Sequence, residues 1–490
     1  MIRKLYQILL LSIAVTLGMT TPTMAQWVQL GTDLMGQAAG AQAGFVTDLN
    51  AAGNRLAIGA PGDNTNGLRS GKVRVFQFNG MNWIPMGVDL LGDTAEDQFG
   101  SSVKFSANGN ILIVGAPVRL LGTGTPPGYV RIFDWNGSNW VQRGSDLFGG
   151  VNADGFGSAI DLSSSGDIVA IGAPNLPTIA DFGGKVSVHQ WNGTNWLPMG
   201  SAIAGLARFS FTGGAVQLNS TGTVLAVGQE GQSRVLVFDW DGSNWVLKDT
   251  ILGAQNFGNS ISMDSSGLTL AIGGESLPTS IGRVSVFQFN GTEYIQKGSS
   301  IVGQGDDLFF GWEQNALALR EDGNALAAGS LGNVVAGQTL GRVRVMVYNG
   351  VDWVPDGIVS GSANDSQLGR SVCMNADGSI IALGTPFNLM PNQNAGVVRV
   401  FTNSVSTAIH EYDQHDLKVF PNPAHSTVHI STNSEILHYE ILSYDGKFVS
   451  SCKVNGEMVI ELDVSLLSAG AYVMKVTTRQ YTQAIKLIRN

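Results

Sequence analysis

Residues 99–117 read FGSSVKFSANGNILIVGAP, and the pattern of this stretch returns along most of the 490-residue chain. Its centre is a pair of glycines separated by five residues. The pairs are Gly53/Gly59, Gly109/Gly115, Gly166/Gly172, Gly222/Gly228, Gly267/Gly273, Gly323/Gly329 and Gly378/Gly384. The second glycines of successive pairs lie 45 to 57 residues apart. A nearly fixed period of this length predicts a repeat architecture.

Each repeat contains four short apolar runs with the character of β-strands. Before the first glycine, apolar side chains alternate with mostly polar ones such as Asp48 and Lys104, which is typical of a half-buried strand. The third run ends in Asn-Gly or Asp-Gly, as at Asn136-Gly137, which favours a tight hairpin turn. Four-stranded antiparallel units repeated radially form a β-propeller. The sequence therefore predicts an all-β protein with a seven-bladed β-propeller over residues 26–403.

The two ends of the repeat array predict how the ring closes. Trp27–Gly31 has the character of a fourth strand, but no repeat precedes it. The last repeat stops at Val397–Phe401 and lacks a fourth strand. Pairing these two segments would close the propeller with an N-terminal strand, and it would leave no exposed strand edge at the chain ends.

The first 25 residues predict export. Arg3 and Lys4 precede an apolar run from Ile8 to Leu17, and Ala25 is a small residue at the cleavage point, which is typical of a secretory signal peptide over residues 1–25. No later stretch has the length and hydrophobicity of a membrane span, so no transmembrane segment is expected in the mature chain.

The charge is unevenly distributed. Of the formal net charge of −10, residues 26–415 carry −12, because the first 25 residues carry +2 and residues 416–490 are balanced. Phosphate recognition depends on Lys and Arg, so an acidic propeller disfavours nucleic acid and anionic membranes as partners.

The repeat period stops near Asn403, and a polar segment over residues 404–416 predicts a linker. Residues 417–490 return to strand patterns with regular turns, which predict a small Ig-like β-sandwich. This tail resembles the type A C-terminal sorting domain of proteins exported by the bacterial type IX secretion system. The matching positions include Phe420, Pro421, Asn422, Pro423, Gly446, Gly470, Tyr472 and Lys486. The resemblance implies contact with the secretion machinery, and a secreted protein that is released or attached to the outer cell surface.

The propeller repeats resemble the FG-GAP type, which also occurs in the heads of integrin α-chains. The matching elements are Phe99-Gly100 at the start of the innermost strand and Gly115-Ala116-Pro117 at the end of the second strand. The resemblance implies an extracellular adhesion role. Some integrin blades bind calcium in an Asp-rich loop, but the corresponding loops here, such as NADGS at residues 375–379, lack alternating oxygen ligands. We therefore expect no metal and no cofactor.

The loops between second and third strands and the connections between repeats should emerge on one face of the propeller, where we expect the ligand-binding surface. Acidic residues recur there just before the innermost strands. They are Asp97, Asp154, Asp307 and Asp365. These side chains either contact a ligand or hydrogen-bond to the backbone of their own loops.

The sixth repeat breaks the pattern most. Its deviating segment, residues 304–313, holds Asp306, Asp307, Trp312 and Glu313. Segments that depart from the rules of a fold are expected at functional or strained sites. This one is either an aromatic platform for a sugar or a cationic group, or a bulge filled by apolar side chains.

Signals for catalysis are weak, and no residue is assigned a catalytic role. His189 is the only histidine of the propeller, and no motif of a metalloprotease, a serine hydrolase or a phosphate-binding loop is present. The sequence favours a secreted or cell-surface binding or adhesion protein, whose partner is an extracellular protein or a glycan. The alternative is an extracellular enzyme that acts on polysaccharide or peptide through carboxylates on the long-loop face.

Overall fold

The computed structural model describes residues 26–117, 127–151, 154–175, 181–276, 281–304, 307–332, 334–335, 338–362, 367–387, 394–404, 418–420, 422–443, 447–479 and 482–489. The predicted signal peptide and residues 405–416 of the predicted linker lie outside the described residues. The chain forms two compact units, the first ending at Asn403 and the second beginning at Ser404.

Within the described residues, the first unit contains seven sheets of four or five strands and one separate two-stranded hairpin. The N-terminal strands are β1 (Gln26–Gln29) and β2 (Leu34–Met35). The first sheet comprises β3 (Val46–Leu49), β4 (Arg55–Ala60), β5 (Lys72–Phe78), β6 (Trp83–Pro85) and β7 (Leu90–Leu91). The second comprises β8 (Ser102–Phe105), β9 (Ile111–Ala116), β10 (Tyr129–Trp135), β11 (Trp140–Gln142) and β12 (Leu147–Phe148). The third comprises β13 (Ala159–Leu162), β14 (Ile168–Ala173), β15 (Lys185–Trp191), β16 (Trp196–Pro198) and β17 (Ile203–Ala204).

The remaining sheets of the first unit follow the same order. The fourth comprises β18 (Val216–Leu218), β19 (Val224–Gln229), β20 (Arg234–Trp240) and β21 (Trp245–Leu252), with a 3-10 turn at Glu230–Gln232. The fifth comprises β22 (Ser260–Met263), β23 (Thr269–Ser276), β24 (Ile281–Phe289), β25 (Tyr294–Gln296) and β26 (Ile301–Val302). The sixth comprises β27 (Leu317–Leu319), β28 (Ala325–Ser330), β31 (Arg342–Tyr348) and β32 (Trp353–Ser360), and β29 (Val334–Val335) with β30 (Gln338–Thr339) forms the hairpin. The seventh comprises β33 (Ser371–Met374), β34 (Ile380–Thr385) and β35 (Val397–Ser404), together with β1 and β2.

The second sheet shows why the sequence folds in this way. Its two innermost strands pair antiparallel, with Val103 opposite Val114. Gly109 makes the turn between them at a φ of +69°, a conformation that favours glycine. A Cβ atom at Gly115 would lie 2.2 Å from the carbonyl oxygen of Gly157 in the next sheet. The first glycine of each repeated pair therefore makes a turn, and the second allows neighbouring sheets to approach.

A tryptophan of the outer strand anchors five of the seven sheets to the chain segment that precedes them. Trp140 is buried, and its Nε1 donates a hydrogen bond to the carbonyl oxygen of Met86 in the first sheet at 3.0 Å. The equivalent bond is formed by Trp83, Trp196, Trp245 and Trp353. Apolar clusters fill the space between successive sheets, as where Val73 of the first sheet packs with Leu112 of the second.

The seven sheets follow one another in a closed circle. Their innermost strands contact one another in the order β3, β8, β13, β18, β22, β27 and β33, and β33 contacts β3. A series of backbone hydrogen bonds links the adjacent turns, since Ala51 N donates to Ala107 O and Ala376 N donates to Ala51 O, both at 3.0 Å. Between these ends the series passes through Ser164, Ser220, Ser265 and Glu321.

The chain closes this circle by strand pairing between its N-terminal segment and the last repeat. Strand β1 pairs with β35, and Leu30 N donates to Val400 O at 2.7 Å. The predicted pairing of these two segments is confirmed. The Trp27 ring packs against the cluster that fills the space between the sixth and seventh sheets.

In the second unit, the described residues form one five-stranded sheet. Its strands are β36 (Lys418–Phe420), β37 (Thr427–Ser443), β38 (Phe448–Asp463), β39 (Gly470–Thr478) and β40 (Thr482–Arg489). The order is β36-β37-β39-β40, and β38 pairs with the long strand β37. The apolar core includes Val428, Ile441 and Met474. A β-rich tail is therefore confirmed, whereas the Ig-like form of the sandwich stays a prediction.

Candidate functional site

The two classes of long loop meet at the junctions between sheets. At the junction of the first and second sheets, Gln98 N in the connecting segment donates to Arg69 O in the loop between β4 and β5, at 2.9 Å. At the junction of the third and fourth sheets, Phe211 N donates to Phe182 O at 3.1 Å. We call the surface formed by these loops and connections the long-loop face.

Asp97 lies at the first of these junctions and organises its own segment. Its Oδ2 accepts hydrogen bonds from Asp93 N and Thr94 N, both at 2.9 Å, and from the Tyr129 hydroxyl at 3.1 Å. Burial, followed by the charge of Asp97, raises the pKa of Tyr129. The carboxylate is buried and occupied by donors of the protein itself.

Asp154 has a similar local role beside a cavity of about 230 Å³. Its two oxygens accept hydrogen bonds from Phe156 N at 2.9 Å and Gly150 N at 2.8 Å. Lys185 and His189 line the same cavity. Burial, with a contribution from the charge of Lys185, lowers the pKa of His189 to about 4, so this imidazole is neutral near pH 7.

Asp307 is fully buried and binds two arginines of the sixth sheet. The Nε and Nη2 of Arg342 donate to its Oδ1, with the Nε bond at 2.9 Å, and Arg344 Nη1 lies 3.6 Å from its Oδ2. This pairing ties the connecting segment to strand β31. Two other predicted residues, Asp306 and Asp365, lie outside the described residues.

The end of the deviating segment of the sixth repeat, with the two residues that follow it, crosses the axis of the ring. The Gln314 side-chain amide donates to Ser158 O at 3.3 Å and to Gly214 O, which belong to the third and fourth sheets. On the other side, Val372 N of the seventh sheet donates to Asn315 O at 2.7 Å. Residues 309–315 therefore cover the axis on the long-loop face.

Trp312 and Glu313 lie within this covering segment. The Trp312 ring is half-buried and lies 5.5 Å from the Phe309 ring, and among the described residues its Nε1 has no hydrogen-bond partner. Glu313 forms an ion pair with Arg370 at 2.5 Å, and Arg370 lies over the Phe45 ring at 4.6 Å. Of the predicted site residues, Trp312 and Glu313 lie together in the covering segment, as neighbours in the chain. Asp97 and Asp154 lie in separate junctions, away from this segment.

Below the covering segment, the innermost strands enclose an axial cavity of about 210 Å³. Lys104 Nζ lies 3.1 Å from Asp48 Oδ1, and Asp48 Oδ2 accepts a hydrogen bond from Phe105 N at 2.8 Å. Asp161 Oδ2 accepts a hydrogen bond from Leu218 N at 2.6 Å. These carboxylates thus satisfy backbone donors of the next sheet, which would otherwise face the cavity without partners.

Burial changes the acidity of the groups around this cavity. Burial raises the pKa of Asp161 to about 6 and the pKa of the Cys373 thiol to about 12. Burial alone would lower the pKa of Lys104, but the charges of Asp48 and Asp161 hold it above its usual value. The sequence marks these positions as the polar members of an alternating strand, but it does not show that they share one cavity.

The long-loop face also carries a cluster of three phenylalanines that the sequence does not predict. Phe182 lies 5.7 Å from Phe209, with ring planes 15° apart, and 6.0 Å from Phe211. Phe182 is 36% and Phe209 44% exposed. Phe211 directly precedes Thr212-Gly213, the position where other repeats have Phe-Gly. We call these three residues the Phe182 cluster.

An exposed ion pair borders the Phe182 cluster. Arg208 Nη2 lies 2.7 Å from Asp181 Oδ2, and both side chains are more than half exposed. The Arg208 guanidinium also lies over the Phe209 ring, 5.0 Å from its centre. The site therefore combines aromatic surface with one donor group and one acceptor group. Among the described residues, no three His, Cys, Asp or Glu side chains form a group that could hold a metal ion.

In the second unit, residues from both ends of the predicted sorting motif meet. Asn422 Oδ1 accepts a hydrogen bond from Ile488 N at 2.8 Å. Phe420 and Pro423 lie within two residues of Asn422 in the chain, and Ile488 lies two residues beyond Lys486 in β40. Tyr472 follows Gly470 in β39, and its hydroxyl donates to Ser468 O at 2.8 Å. Pro421 and Gly446 lie outside the described residues.

Comparison with known proteins identifies this tail. Residues 418–490 match the family described as the secretion system C-terminal sorting domain. The resemblance inferred from the sequence is therefore confirmed, and the domain marks the protein for export by the type IX secretion system. The protein is secreted and is released or attached at the cell surface. Among the described residues, no helix has the length and hydrophobicity to cross a membrane.

Solved structures resemble the first unit in fold. A chain of the mitotic checkpoint complex matches with a TM-score of 0.50 and 14% identity, over 78% of this chain and 94% of the other. The β-propeller domain of Cps50 (Swd1) from Myceliophteria thermophila has a TM-score of 0.49 and 11% identity, over 76% and 99% of the two chains. No curated protein sequence matches the chain. The all-β, propeller-like fold of the first unit rests on its own seven sheets in a closed circle, and the likeness to the checkpoint-complex chain is one of fold alone.

Proposed function

We propose that the first unit is a seven-bladed β-propeller of the FG-GAP type that acts outside the cell as a binding or adhesion module. The seven sheets and the closed series of hydrogen bonds through Ala51 and Ala107 support the blade count. The contact that Gly115 permits with Gly157 gives the repeated Phe-Gly and Gly-Ala-Pro elements a common packing role. Residues 1–25 would act as signal peptide, 404–416 as linker and 417–490 as an Ig-like sorting domain.

The observation that carries the binding role is the distribution of exposed apolar side chains. Large apolar side chains are exposed in the loops and connections of the long-loop face at Leu68, Val151, Phe182, Leu206 and Phe209, and at the strand ends that lead into the connections at Phe148 and Leu252. The short turns of the opposite face expose Met81, Leu268 and Val351, which belong to three different sheets. Exposed apolar surface on one face is typical of a binding site.

The carboxylates of the long-loop face favour binding over hydrolysis. A glycosidase needs two carboxyl groups about 5–10 Å apart that can exchange protons with substrate and water. Asp97 and Asp154 instead accept hydrogen bonds from their own backbone segments, and Asp307 is neutralised by Arg342. They would contribute to ligand binding by holding the loops in place.

Within this proposal, the covering segment supplies the central contact through Trp312. Its partly exposed ring, beside the Phe309 ring, suits a role as aromatic anchor, and its indole N–H is buried without a partner among the described residues. Asp306, Asp307 and Glu313 would position the segment, together with Asp97, Asp154 and Asp365 in the other connections. Trp312→Ala should then weaken ligand binding by roughly 1–3 kcal/mol.

The proposal can be tested by probing glycan and protein arrays with the purified full-length chain. Leu68→Asp and Leu252→Asp change the long-loop face, and Met81→Asp and Val351→Asp serve as matched controls on the opposite face. We expect binding that only the first two variants weaken. Loss of binding in the controls alone, or release of cleaved products from the bound ligand, would contradict a binding role of this face.

A further inference from the structure

The three bulky residues of the Phe182 cluster adopt a left-handed backbone conformation. Phe182, Phe209 and Phe211 have φ angles of +52°, +56° and +48°. Left-handed conformations cost L-residues roughly 1–2 kcal/mol, and they are rare for bulky side chains. Exposed aromatic rings gain little from burial that would offset this cost. Such a departure, when observed, is a reason to look for a function at the site.

The junction of the first and second sheets shows that the fold does not require phenylalanine here. Glu96 N donates to Leu68 O at 2.8 Å, as Phe209 N donates to Asp181 O at 2.8 Å. By this register, Arg69 and Glu96 occupy the positions of Phe182 and Phe209. They also have positive φ angles, of +50° and +69°.

The side chains at these equivalent positions differ completely. Arg69 and Glu96 form an ion pair at 2.9 Å, and Gln98 takes the place of Phe211. At the first junction, polar residues therefore adopt the backbone conformation that the three phenylalanines adopt at the third. Since one backbone accepts either set, the aromatic set of the third junction is a local feature of the surface.

We propose that the Phe182 cluster, with Arg208 and Asp181, binds a sugar unit of a neutral polysaccharide. The C–H face of a sugar ring is apolar and packs on an aromatic ring, whereas its hydroxyl groups both donate and accept hydrogen bonds. Arg208 supplies donors and Asp181 supplies an acceptor at the edge of the Phe209 ring. Binding sites commonly combine aromatic surface with a few polar groups that fix orientation. The inference rests on the proposed binding role of the long-loop face and names its ligand class.

Charge and polarity distinguish this ligand from two others. A polyanionic glycan would approach a segment of net charge −12 over residues 26–415, and it would meet Asp181 at the site. An apolar peptide side chain would remove water from the exposed ion pair of Arg208 and Asp181 without supplying hydrogen bonds in its place, which is costly. A neutral sugar satisfies the rings and the ion pair together.

The test uses the full-length chain and three soluble neutral polysaccharides, a β-glucan, a mannan and a xylan, with affinity measured by calorimetry. The double variant Phe182→Arg/Phe209→Glu gives the third junction the ion pair of the first. The matched control Arg69→Ala/Glu96→Ala changes the equivalent positions at the first junction. We expect the wild type to bind at least one polysaccharide, the double variant to bind at least about tenfold more weakly, and the control to bind equally well.

Thermal unfolding of each variant separates misfolding from lost contact, and Phe209→Gly offers a second variant that the backbone accepts without strain. No binding of any of the three polysaccharides by folded wild type would overturn the inference, as would equal weakening in the control. A protein ligand that binds the long-loop face and tolerates the double variant would overturn the sugar site and leave the proposed function standing. If the sugar site and the binding role of the long-loop face are both wrong, this face will bind nothing on the glycan array or the protein array.

Discussion

The junction of the first and second sheets and the junction of the third and fourth share one backbone and differ in their side chains. Gln98 N and Phe211 N make the same hydrogen bond to the preceding loop, to Arg69 O and Phe182 O. One junction is held by an ion pair between Arg69 and Glu96, whereas the other exposes stacked phenylalanines. The shape of the ring is therefore set by the backbone and its glycines, which leaves the side chains of the junctions available for recognition.

Both junctions belong to one closed ring of sheets, and breaking this ring should have the largest effect on stability. Deleting residues 26–32 removes β1 from β35 and the Trp27 ring from the cluster beside the seventh sheet. We expect the melting temperature to fall by roughly 10 °C. Removing residues 405–490 is the control and should leave the melting of the first unit unchanged. An unaltered melting curve after the N-terminal deletion would show that β1 does not hold the ring.

A second experiment asks whether the two junctions really share a backbone. A Cβ at Gly71 would lie 2.2 Å from Phe99 O, and a Cβ at Gly184 would lie 2.4 Å from Thr212 O. Both glycines also have positive φ, so Gly71→Ala and Gly184→Ala should each lower the free energy of unfolding by at least about 3 kcal/mol. Gly80→Ala, where φ is +96° and no atom lies within 4 Å of the added Cβ, should cost only about 1 kcal/mol. If the two substitutions lower the free energy of unfolding by clearly unequal amounts, the two junctions do not share one backbone conformation.

Buried charge in the axial cavity contrasts with the partly exposed ion pair of the first junction. Burial raises the pKa of Asp161 from 3.8 to about 6, so the folded state holds this proton more tightly than the unfolded state. Stability from this group is therefore present below pH 4 and is lost as the pH rises to about 6. Asp161→Asn keeps a side-chain oxygen that accepts the hydrogen bond from Leu218 N. Between pH 4 and pH 7, the difference in free energy of unfolding between this variant and the wild type should shift by about 2 kcal/mol in favour of the variant. Chemical denaturation at the two pH values measures this, and parallel pH profiles would contradict it.

The smallest expected effect concerns strain at the third junction. Phe209→Gly relieves a φ of +56° but loses the partial contacts of an exposed ring, so stability should be unchanged or up to about 1 kcal/mol higher. Glu96→Gly, at the equivalent position, loses a partly exposed ion pair and should change stability by less than about 1 kcal/mol. If Phe209→Gly lowers the free energy of unfolding by more than about 2 kcal/mol, the loss is of the size usual for a substitution in a buried core. Such a result would indicate a packing role for the Phe209 ring.

The sequence predicted the frame of the fold because the frame depends on local chemistry. Gly109 and Gly115 recur with their neighbours in every repeat, since the turn and the contact between sheets are needed in each. The pairing of β1 with β35 followed from a missing outer strand, which is a matter of counting. These features require no knowledge of which side chains meet across the ring.

The sequence predicts site residues only where their segment departs from the repeated sequence pattern. Trp312 was found because its segment breaks the alternation, and the structure explains the break by its course across the axis, through Gln314. Phe182 and Phe209 are 27 residues apart, and only the junction brings them together. The shared left-handed positions of Arg69 and Phe182 carry no sequence signal, because glycine does not mark them.

Amide hydrogen exchange of the full-length chain, with and without the polysaccharide that binds most tightly, shows which junction the ligand contacts. We expect slower exchange at residues 181–184 and 208–213, and no change at residues 68–71 and 96–99 of the first junction. Protection confined to the short turns of the opposite face, or equal protection at both junctions, would rule out a sugar site at the Phe182 cluster.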